Sequence, residues 1–460
     1  MTEVSRDDIL PPMSTRRIAT AVATCAMAVG ILNSPAALAD PDALNAWSSV
    51  DLAVGAEDGP AWRVTMAANG QGVVFSGDRY RDYDASSGGW GAWKRLHTDP
   101  ERLYAQGNAR GDVCTAWSAD FGAAIACRGS NTQRFVKTSI TTSIYATVEE
   151  LAISSDGRRA LIIWRDTADN RSREYASVYS LSTRKISTTR LRGIPGGAPL
   201  QYYPVAARVG RTSGFALAYR TGEEGTRGNA TFYRTFRPGK GWRPQARLRL
   251  GTPAQDVVIS DLTSDGRRVY ASVTPDIPLT PADHPSMWWI TELKFNGAFT
   301  APESVDATLF WPVIGSSSTS VHIASFDPAN RELVVAGSGD FIDSPIVITR
   351  VPSPDVADTT GRVSDVSIVG QRYGNGNDGF TVVVQYTGVS NPGQDSQENV
   401  DQLFSVAGED GEALSSLRRL GTKSGYEGLG TKLAGYGQYV FAAYASDMRL
   451  YAAAKTPAPF

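Results

Sequence analysis

The chain has 460 residues, with 45 Lys and Arg against 47 Asp and Glu, for a formal net charge of −2. Charges so balanced and interspersed build no basic field, which argues against nucleic acid and anionic membrane surfaces as partners. Apolar residues at 42% and aromatics at 9% are ample for a packed core.

The N-terminus reads as a targeting segment. Arg16 and Arg17 precede an apolar stretch from Ile18 to Leu32, and Ala37-Leu38-Ala39 puts small residues just before Asp40. That is the three-part pattern of a secretory signal, with cleavage expected after Ala39. Met13 is an alternative start, because residues 1–12 make a poor positive region. The apolar run of 15 residues is short of the roughly 20 that a span needs, so an anchor helix ranks second. Lipid attachment at Cys25 ranks below simple cleavage. The style of the signal points to a bacterial exported protein. After Ala39 no stretch could span a bilayer.

Downstream, a short turn recurs eight times, each time followed by an apolar strand. The turns are Asn69-Gly70-Gln71-Gly72, Arg110-Gly111-Asp112, Ser155-Asp156-Gly157-Arg158-Arg159 and Gly210-Arg211-Thr212-Ser213-Gly214. The series continues with Ser264-Asp265-Gly266-Arg267-Arg268, Ala329-Asn330-Arg331, Asn377-Asp378-Gly379 and Gly435-Tyr436-Gly437. Repeated β-rich units at this spacing predict an all-β radial repeat, a β-propeller of four-stranded blades. Blades are expected to begin near Trp62, Arg102, Val148, Pro204, Asp256, Ser320, Ser364 and Gly430. Fourth strands are expected at Gly88–Leu96, Gly239–Pro244, Asn296–Pro302 and Asp410–Leu414. Pro244 and Pro302 suit an outer strand, where a missing N–H breaks no ladder. Val148–Leu151 and Glu412–Leu417 have helical residues but fit the strand pattern better.

Eight turns predict eight blades; seven is the alternative if the unit at Val321–Arg350 or Gly361–Tyr386 is incomplete. The last unit, Gly430–Lys455, has room for three strands. Asn45–Leu52 reads as a stray fourth strand, so pairing the two ends would close the ring and remove an exposed edge. Residues 40–460 then form a single domain. Two packed β-sandwich domains are the structural alternative.

Removing the signal leaves Cys114 and Cys127. If Asp120-Phe121 turn the chain so that Ala119 pairs with Gly122, the cysteines lie directly opposite each other. Facing residues in such a ladder are ~4.5 Å apart at Cα, within disulfide range, and an exported chain meets oxidising conditions. Two buried free thiols are the alternative.

The Ser-Asp-Gly-Arg-Arg units at 155–159 and 264–268, each leading into an apolar strand, resemble the turn-strand motif of TolB-type, WD-like propellers. The Gly-x-Trp units at 239–242 and 89–93 resemble degenerate Asp-box hairpins of sialidase-like propellers. The resemblance implies a fold and no single activity, since such propellers bind proteins, bind glycans or hydrolyse glycosides. No intact Asp-box is present, and Arg192-Gly193-Ile194-Pro195 sits too late for the early Arg-Ile-Pro element. No catalytic residue is therefore carried over.

Chemistry is hard to find. His97, His284 and His322 lie far apart, so no metal is expected. No Gly-x-Ser-x-Gly elbow or phosphate loop occurs, and no cofactor is expected. Asp82 and Asp84 have strand spacing and face one side; Glu149-Glu150, Glu223-Glu224 and Asp410 with Glu412 are further acidic pairs, most simply solvated. Asn375, Asn377 and Asp378 read as a turn. Trp288 and Trp289 should point to opposite faces of a strand, and with Tyr202, Tyr203 and Trp311 they are the candidate ligand-binding residues, because aromatic faces stack on sugars and anchor interfaces. The expectation is a secreted, monomeric, non-catalytic propeller binding protein or glycan ligands. The alternative is an extracellular glycoside hydrolase or polysaccharide lyase with its site in the central funnel.

Overall fold

Strands that are apolar on both sides of the pleat need a cover on both faces, and here neighbouring sheets supply it. In the computed structural model, Val113–Ala119, Gly122–Arg128 and Val321–Asp327 are buried at every position. Fourth strands such as Ile186–Arg190 are mostly exposed. The structure describes residues 41–455 apart from 57–61, 67–70, 85–86, 88, 97–99, 109, 131, 133, 169–171, 192–200, 210–211, 222–229, 251–254, 276–287, 295, 306–308, 318–319, 328–329, 339–346, 355–361, 374–376, 391–397, 410–413, 421–431, 437–438 and 447–448.

Eight antiparallel sheets follow one another. Their first strands are Trp62–Met66, Arg102–Gly107, Ala146–Ile153, Gln201–Val209, Gln255–Ser264, Phe310–Ser316, Arg362–Arg372 and Lys432–Tyr436. Each touches the first strand of the next sheet, and the eighth touches the first. These contacts close a ring of eight blades around an axis. Eight apolar clusters lie one at each blade interface, for example Val73, Phe75 and Tyr80 of blade 1 against Leu103 and Trp117 of blade 2. Each buried aliphatic or aromatic side chain there contributes about 1.5–3 kcal/mol.

Ring closure follows the expectation from the two ends. Ser49–Ala56 is the outer strand of blade 8, paired with Arg449–Lys455 from Ser49 opposite Ala454 to Ala56 opposite Arg449. The residues just before it form no strand. They make a short helix, Pro41–Leu44, and clasp blade 7. Asn45 Nδ2 donates to the Ser405 carbonyl at 2.8 Å, and Trp47 Nε1 to Ser405 Oγ at 2.9 Å. The N-terminal segment thus ties blade 7 to blade 8.

Two element positions differ from the sequence reading. Blade 6 begins at Phe310 rather than near Ser320, and the turn at Asn330-Arg331 lies between its second and third strands. Its first turn is built by serines: Ser317 N donates to the Ser320 carbonyl at 2.9 Å, and Ser320 N to Ser317 Oγ at 3.0 Å. A hydroxyl that bonds its own backbone makes a turn without glycine, which hid it. In blade 7 the fourth strand is Arg418–Arg419, past the expected Asp410–Leu414, of which 410–413 lie outside the described residues. Val148–Leu151 is strand, as expected, and Pro302 sits in the outer strand Phe299–Val305.

Blades 1 and 4 share a fourth-strand device. Arg81 lies 5.5 Å from the Trp90 ring and donates through Nε to the Gly91 carbonyl at 2.9 Å. Arg234 lies 5.5 Å from the Trp242 ring and donates to the Arg243 carbonyl at 3.2 Å. Each strand ends in a buried leucine, Leu96 or Leu248.

Blade 2 carries the disulfide. Ala119 pairs with Gly122 and Cys114 with Cys127, whose Cα atoms are 4.1 Å apart.

Candidate functional site

Two regions gather ionisable side chains. The first is the axial channel region, the ring of first strands about the propeller axis. The first strands of blades 3, 5 and 7 each carry a bulge, at Val148/Glu150, Ile259/Asp261 and Val363/Asp365. In each, the residue that resumes the ladder is a carboxylate: Glu150, Asp261 or Asp365. A bulge re-aims the side chains beside it.

Asp261 accepts from its own neighbour Leu262 N at 2.7 Å and from Ile314 N of blade 6 at 3.1 Å. Burial pushes its carboxyl up to about 6, against the pull of these two N–H groups. Glu150 is pushed up to about 8, again chiefly by burial; the Leu151 N–H and Arg63 oppose the rise, and Asp261 and Glu149 add to it. Arg63 lies 5.3 Å from the Tyr104 ring. The Tyr104 phenol is pushed up to about 12 by burial, with Glu150 and Glu149 adding. Arg63, Tyr104, Glu150, Tyr203 and Asp261 therefore come from five consecutive blades and share one electrostatic environment. At neutral pH, Glu150 holds a proton and Asp261 is mostly ionised.

Glu149 turns the other way, to Arg102 at 3.4 Å and Arg165 at 3.5 Å. Arg165 also reaches the buried Glu174 at 2.9 Å, and Glu174 accepts a hydrogen bond from the Tyr202 phenol.

The aromatic candidates fall in different surroundings. Tyr202 and Tyr203 are buried, and Tyr203 donates to the Ile259 carbonyl at 3.3 Å across a blade interface. Trp288 is fully buried, with Nε1 on the Leu309 carbonyl at 3.2 Å. Trp289 is half-buried against the cluster between blades 4 and 5. Trp311 lies on the first strand of blade 6, and its side chain is outside the description. His322 is buried with its ring 4.2 Å from Phe380, and burial pulls it down to about 3. His97, His284, Glu223, Glu224, Asn375, Asp410 and Glu412 lie outside the described residues. Among the described residues no group of three or more His, Cys, Asp or Glu could hold a metal ion.

The second region is a cleft of about 340 Å³ between blades 1 and 2. Blade 1 lines it with Gln71, Asp82, Asp84 and Lys94, and blade 2 with Arg128, Ser130 and Thr132. Gly91, Gly111 and Gly129 keep the wall low at three points. Asp82 is the hub: Oδ1 meets Arg128 Nη1 at 2.6 Å, and Oδ2 meets Lys94 Nζ at 2.8 Å. The Arg128 side chain is only 8% exposed, and its guanidinium lies 5.1 Å from the Phe135 ring.

The wall is fixed from behind. Arg128 follows Cys127 directly, so the disulfide anchors the strand that presents it. Buried Asp112 accepts from Ser130 N at 3.1 Å and from Asn108 Nδ2 at 3.1 Å. Asp84 accepts from Ser87 Oγ at 3.1 Å. Strand spacing placed Asp82 and Asp84 on one side, and both line the cleft. The sequence reading did not find Arg128 or Lys94. Lys94 stood in a recognised fourth strand, but its partner is set by the sheet register.

The architecture makes the chain an eight-bladed β-propeller. Among solved structures it is similar to the Dos1 propeller, at 10% identity and a TM-score of 0.51 over 92% of this chain and 98% of that one. A looser similarity is to hydrazine synthase from Kuenenia stuttgartiensis, at 11% identity and a TM-score of 0.42 over 73% of this chain and 95% of that one. Another is to a structure from work on two prolyl endopeptidases, at 12% identity and a TM-score of 0.47. That match covers 95% of this chain and 52% of the other. No protein-family model matches the sequence, and no curated protein does either.

Proposed function

We propose that this protein is an exported propeller that binds a glycan in the cleft between blades 1 and 2, without turning it over. The carrying observation is the cleft itself. Its volume suits a small ligand, at the lower end of the ~300–1,000 Å³ typical of ligand pockets. Its wall mixes carboxylates, hydroxyls, an amide and two cations, which is the mixture a polyhydroxylated ligand pairs with. Residues 1–39 serve as the signal, residues 40–460 are the mature monomer, and the setting is the exterior of a bacterial cell. Kinship with TolB-type and Asp-box propellers is part of the proposal, supported by the turn-strand units and the twin Gly-Trp hairpins. Trp289 and Trp311 are proposed as further ligand-facing aromatics.

A second reading is favoured by one observation. Glu150 and Asp261 sit at matching bulges, and burial drives their carboxyls to different pH values. Glycoside hydrolysis needs one protonated and one ionised carboxyl. On that reading the channel is a hydrolase site.

The test is a glycan array probed with residues 40–460 and with Gly91→Phe. A Cβ at Gly91 meets the Asp82 carbonyl at an ordinary 3.5 Å, so the ring projects without backbone strain and fills the cleft. Binding to at least one glycan class, lost in Gly91→Phe, supports the reading. Binding that survives the filled cleft overturns it, as does an empty array. Turnover of the bound glycan that disappears in Glu150→Gln moves the assignment to the channel.

A further inference from the structure

We propose that one end of blades 2 to 5 binds a linear polyanionic glycan, on a surface separate from the cavity between blades 1 and 2. The recurrent Ser-Asp-Gly-Arg-Arg turns point to it, because they hold more than a turn requires. In the units at 155–159 and 264–268 the glycine takes the positive φ, 64° at Gly157 and 84° at Gly266. The aspartate accepts from the turn's own backbone: Asp156 Oδ1 from Arg158 N at 3.1 Å, and Asp265 Oδ1 from Arg267 N and Arg268 N at 2.6 Å each. The turn draws on the arginines only for N–H groups that any residue but proline supplies.

Antiparallel order puts the turn after a blade's first strand at the same end as the turn after its third. At that end blade 3 exposes Arg158, Arg184 and Lys185, and blade 4 exposes Arg208 and Lys240. Blade 5 exposes Arg267, Arg268 and Lys294. Arg110 of blade 2 extends the row, its Nη1 donating to the Asp156 carbonyl at 2.7 Å. The turns abut: Ser155 Oγ lies 3.3 Å from Ser213 Oγ of blade 4, and a Cβ on Gly266 of blade 5 would lie 3.4 Å from Ser155 Cβ. None of these cations makes an ion pair with a described residue. Four acids sit among them. Asp112 is buried on Asn108 and Ser130, Asp156 and Asp265 face their own turns, and Glu292 is left to Arg268 and Lys294. The corresponding turns of blades 6 and 7 carry Ser317, Ser320, Asn377 and Asp378. A chain of net charge −2 thus concentrates positive charge in one sector of one end.

A row of cations spread over four blades matches a chain that repeats its charge, since a single small anion reaches one or two of them. Lipid is a poor match. Proteins that enter a bilayer surface do so on apolar groups, and the exposed Phe121, Ile144 and Tyr145 lie in turns at the opposite end. Single-stranded nucleic acid stacks its bases on aromatic side chains, and among the described residues no large aromatic is exposed at the cationic end. A glycan chain needs neither. Arginine and lysine pair with carboxylate, sulfate and phosphate alike, so the surface reads charge density and not the kind of acid. Gly111, next to Arg110, also lines the cavity between blades 1 and 2, so the two surfaces meet at one turn.

The experiment is titration calorimetry of residues 40–460 with polygalacturonate, dextran sulfate and phosphomannan. Neutral dextran, duplex DNA and phosphatidylglycerol vesicles are the comparison arms. At least one anionic polysaccharide should bind tenfold or more above dextran, and should lose at least tenfold as salt rises from about 50 to about 200 mM. Arg158→Ser with Arg267→Ser should weaken that binding about tenfold. Arg184→Ser with Lys240→Ser should do the same, and it tests the same surface if the first pair fails to fold. Arg190→Ser with Arg331→Ser removes two exposed arginines at the opposite end and should leave affinity nearly unchanged. Gly91→Phe should leave polyanion binding in place, so the cleft reading can fail while this inference stands. Equal losses in all three pairs would reduce the effect to net charge and overturn the inference. Tighter binding to DNA or to vesicles, or no preference over dextran, overturns it as well.

Discussion

The axial channel and the cleft between blades 1 and 2 hold the same kinds of side chain in opposite electrostatic states. In the cleft every acid has a partner close by: Asp82 between Arg128 and Lys94, and Asp84 on Ser87. In the channel, Glu150 and Asp261 have backbone N–H partners and distant charges, and burial raises both. The difference lies in the backbone. The cleft sits where two blades meet, so side chains from both can pair across the gap. In the channel the carboxylates follow bulges on strands of separate blades. A site whose charges are already paired is held in one ionisation state; a proton-loaded one responds to pH.

The sharpest way to break this comparison is Asp82→Asn. If the cleft acid is a true hub, its loss leaves the nearly buried Arg128 without a countercharge. Removing one partner of a fully buried pair costs about 3–5 kcal/mol, and partial exposure at 23% lowers that to about 2 kcal/mol here. A urea titration should show a lower midpoint with an unchanged slope. A loss below about 0.5 kcal/mol would class the trio with ordinary surface pairs.

How much of this was readable in advance follows from the range of the interactions involved. The recurrent turns are local, so the blades and their number were legible from Asn69 to Gly437, and the ring closure from the stray strand at Asn45–Leu52 beside a last unit short of one strand. So was the disulfide, because a two-residue hairpin fixes the register that sets Cys114 against Cys127. The serine turn of blade 6 was missed, since Ser317 and Ser320 make with hydroxyls what Gly157 and Gly266 make with a positive φ in blades 3 and 5. Asp82 and Asp84 were legible as a pair through the two-residue period. Arg128 was not, because its partner belongs to another blade. Asp261 was invisible for a different reason. Nothing in Ser260-Asp261 marks a bulge, and without it the side chain would follow the ordinary alternation of the strand.

The next prediction concerns the channel. Glu150 ordinarily ionises near 4.5 and in the folded chain at about 8. Between those values the folded chain holds a proton that the unfolded chain has released. Stability from this group therefore falls as pH rises across the window, and is level outside it. Glu150→Gln cannot ionise and removes the slope. The variant should match the parent near pH 4 and melt several degrees higher at pH 8 to 9. Two other buried groups act with the opposite sign. His322 raises stability with pH from about 3 to 6.5, and Lys455 from about 7 to 10.5, because in both cases the unfolded chain holds the extra proton. Asp261 adds to the fall between about 4 and 6, so the parent curve mixes all of these groups and the measurement is the difference between variant and parent. A constant difference from pH 4 to pH 9 would place Glu150 in an ordinary solvated position.

Asp261→Asn should have the smallest effect, and its size tests whether the two channel acids are equivalent. Its ionisation window is narrower, from 3.8 to about 6, so less stability is tied to its proton. The carboxylate also does structural work, accepting from Leu262 N and from Ile314 N of the next blade. Asparagine removes the cost of ionisation but brings only one acceptor oxygen, so one of those N–H groups loses its partner, at about 1 kcal/mol or more. The two changes oppose each other at pH 7, and the net shift should stay within about 1 kcal/mol. The difference curve should bend only between pH 4 and pH 6, two pH units below the upper bend of Glu150→Gln. Coincident bends would mean that the two carboxyls titrate as one coupled pair, and the channel would then carry a shared proton in place of two separate ones.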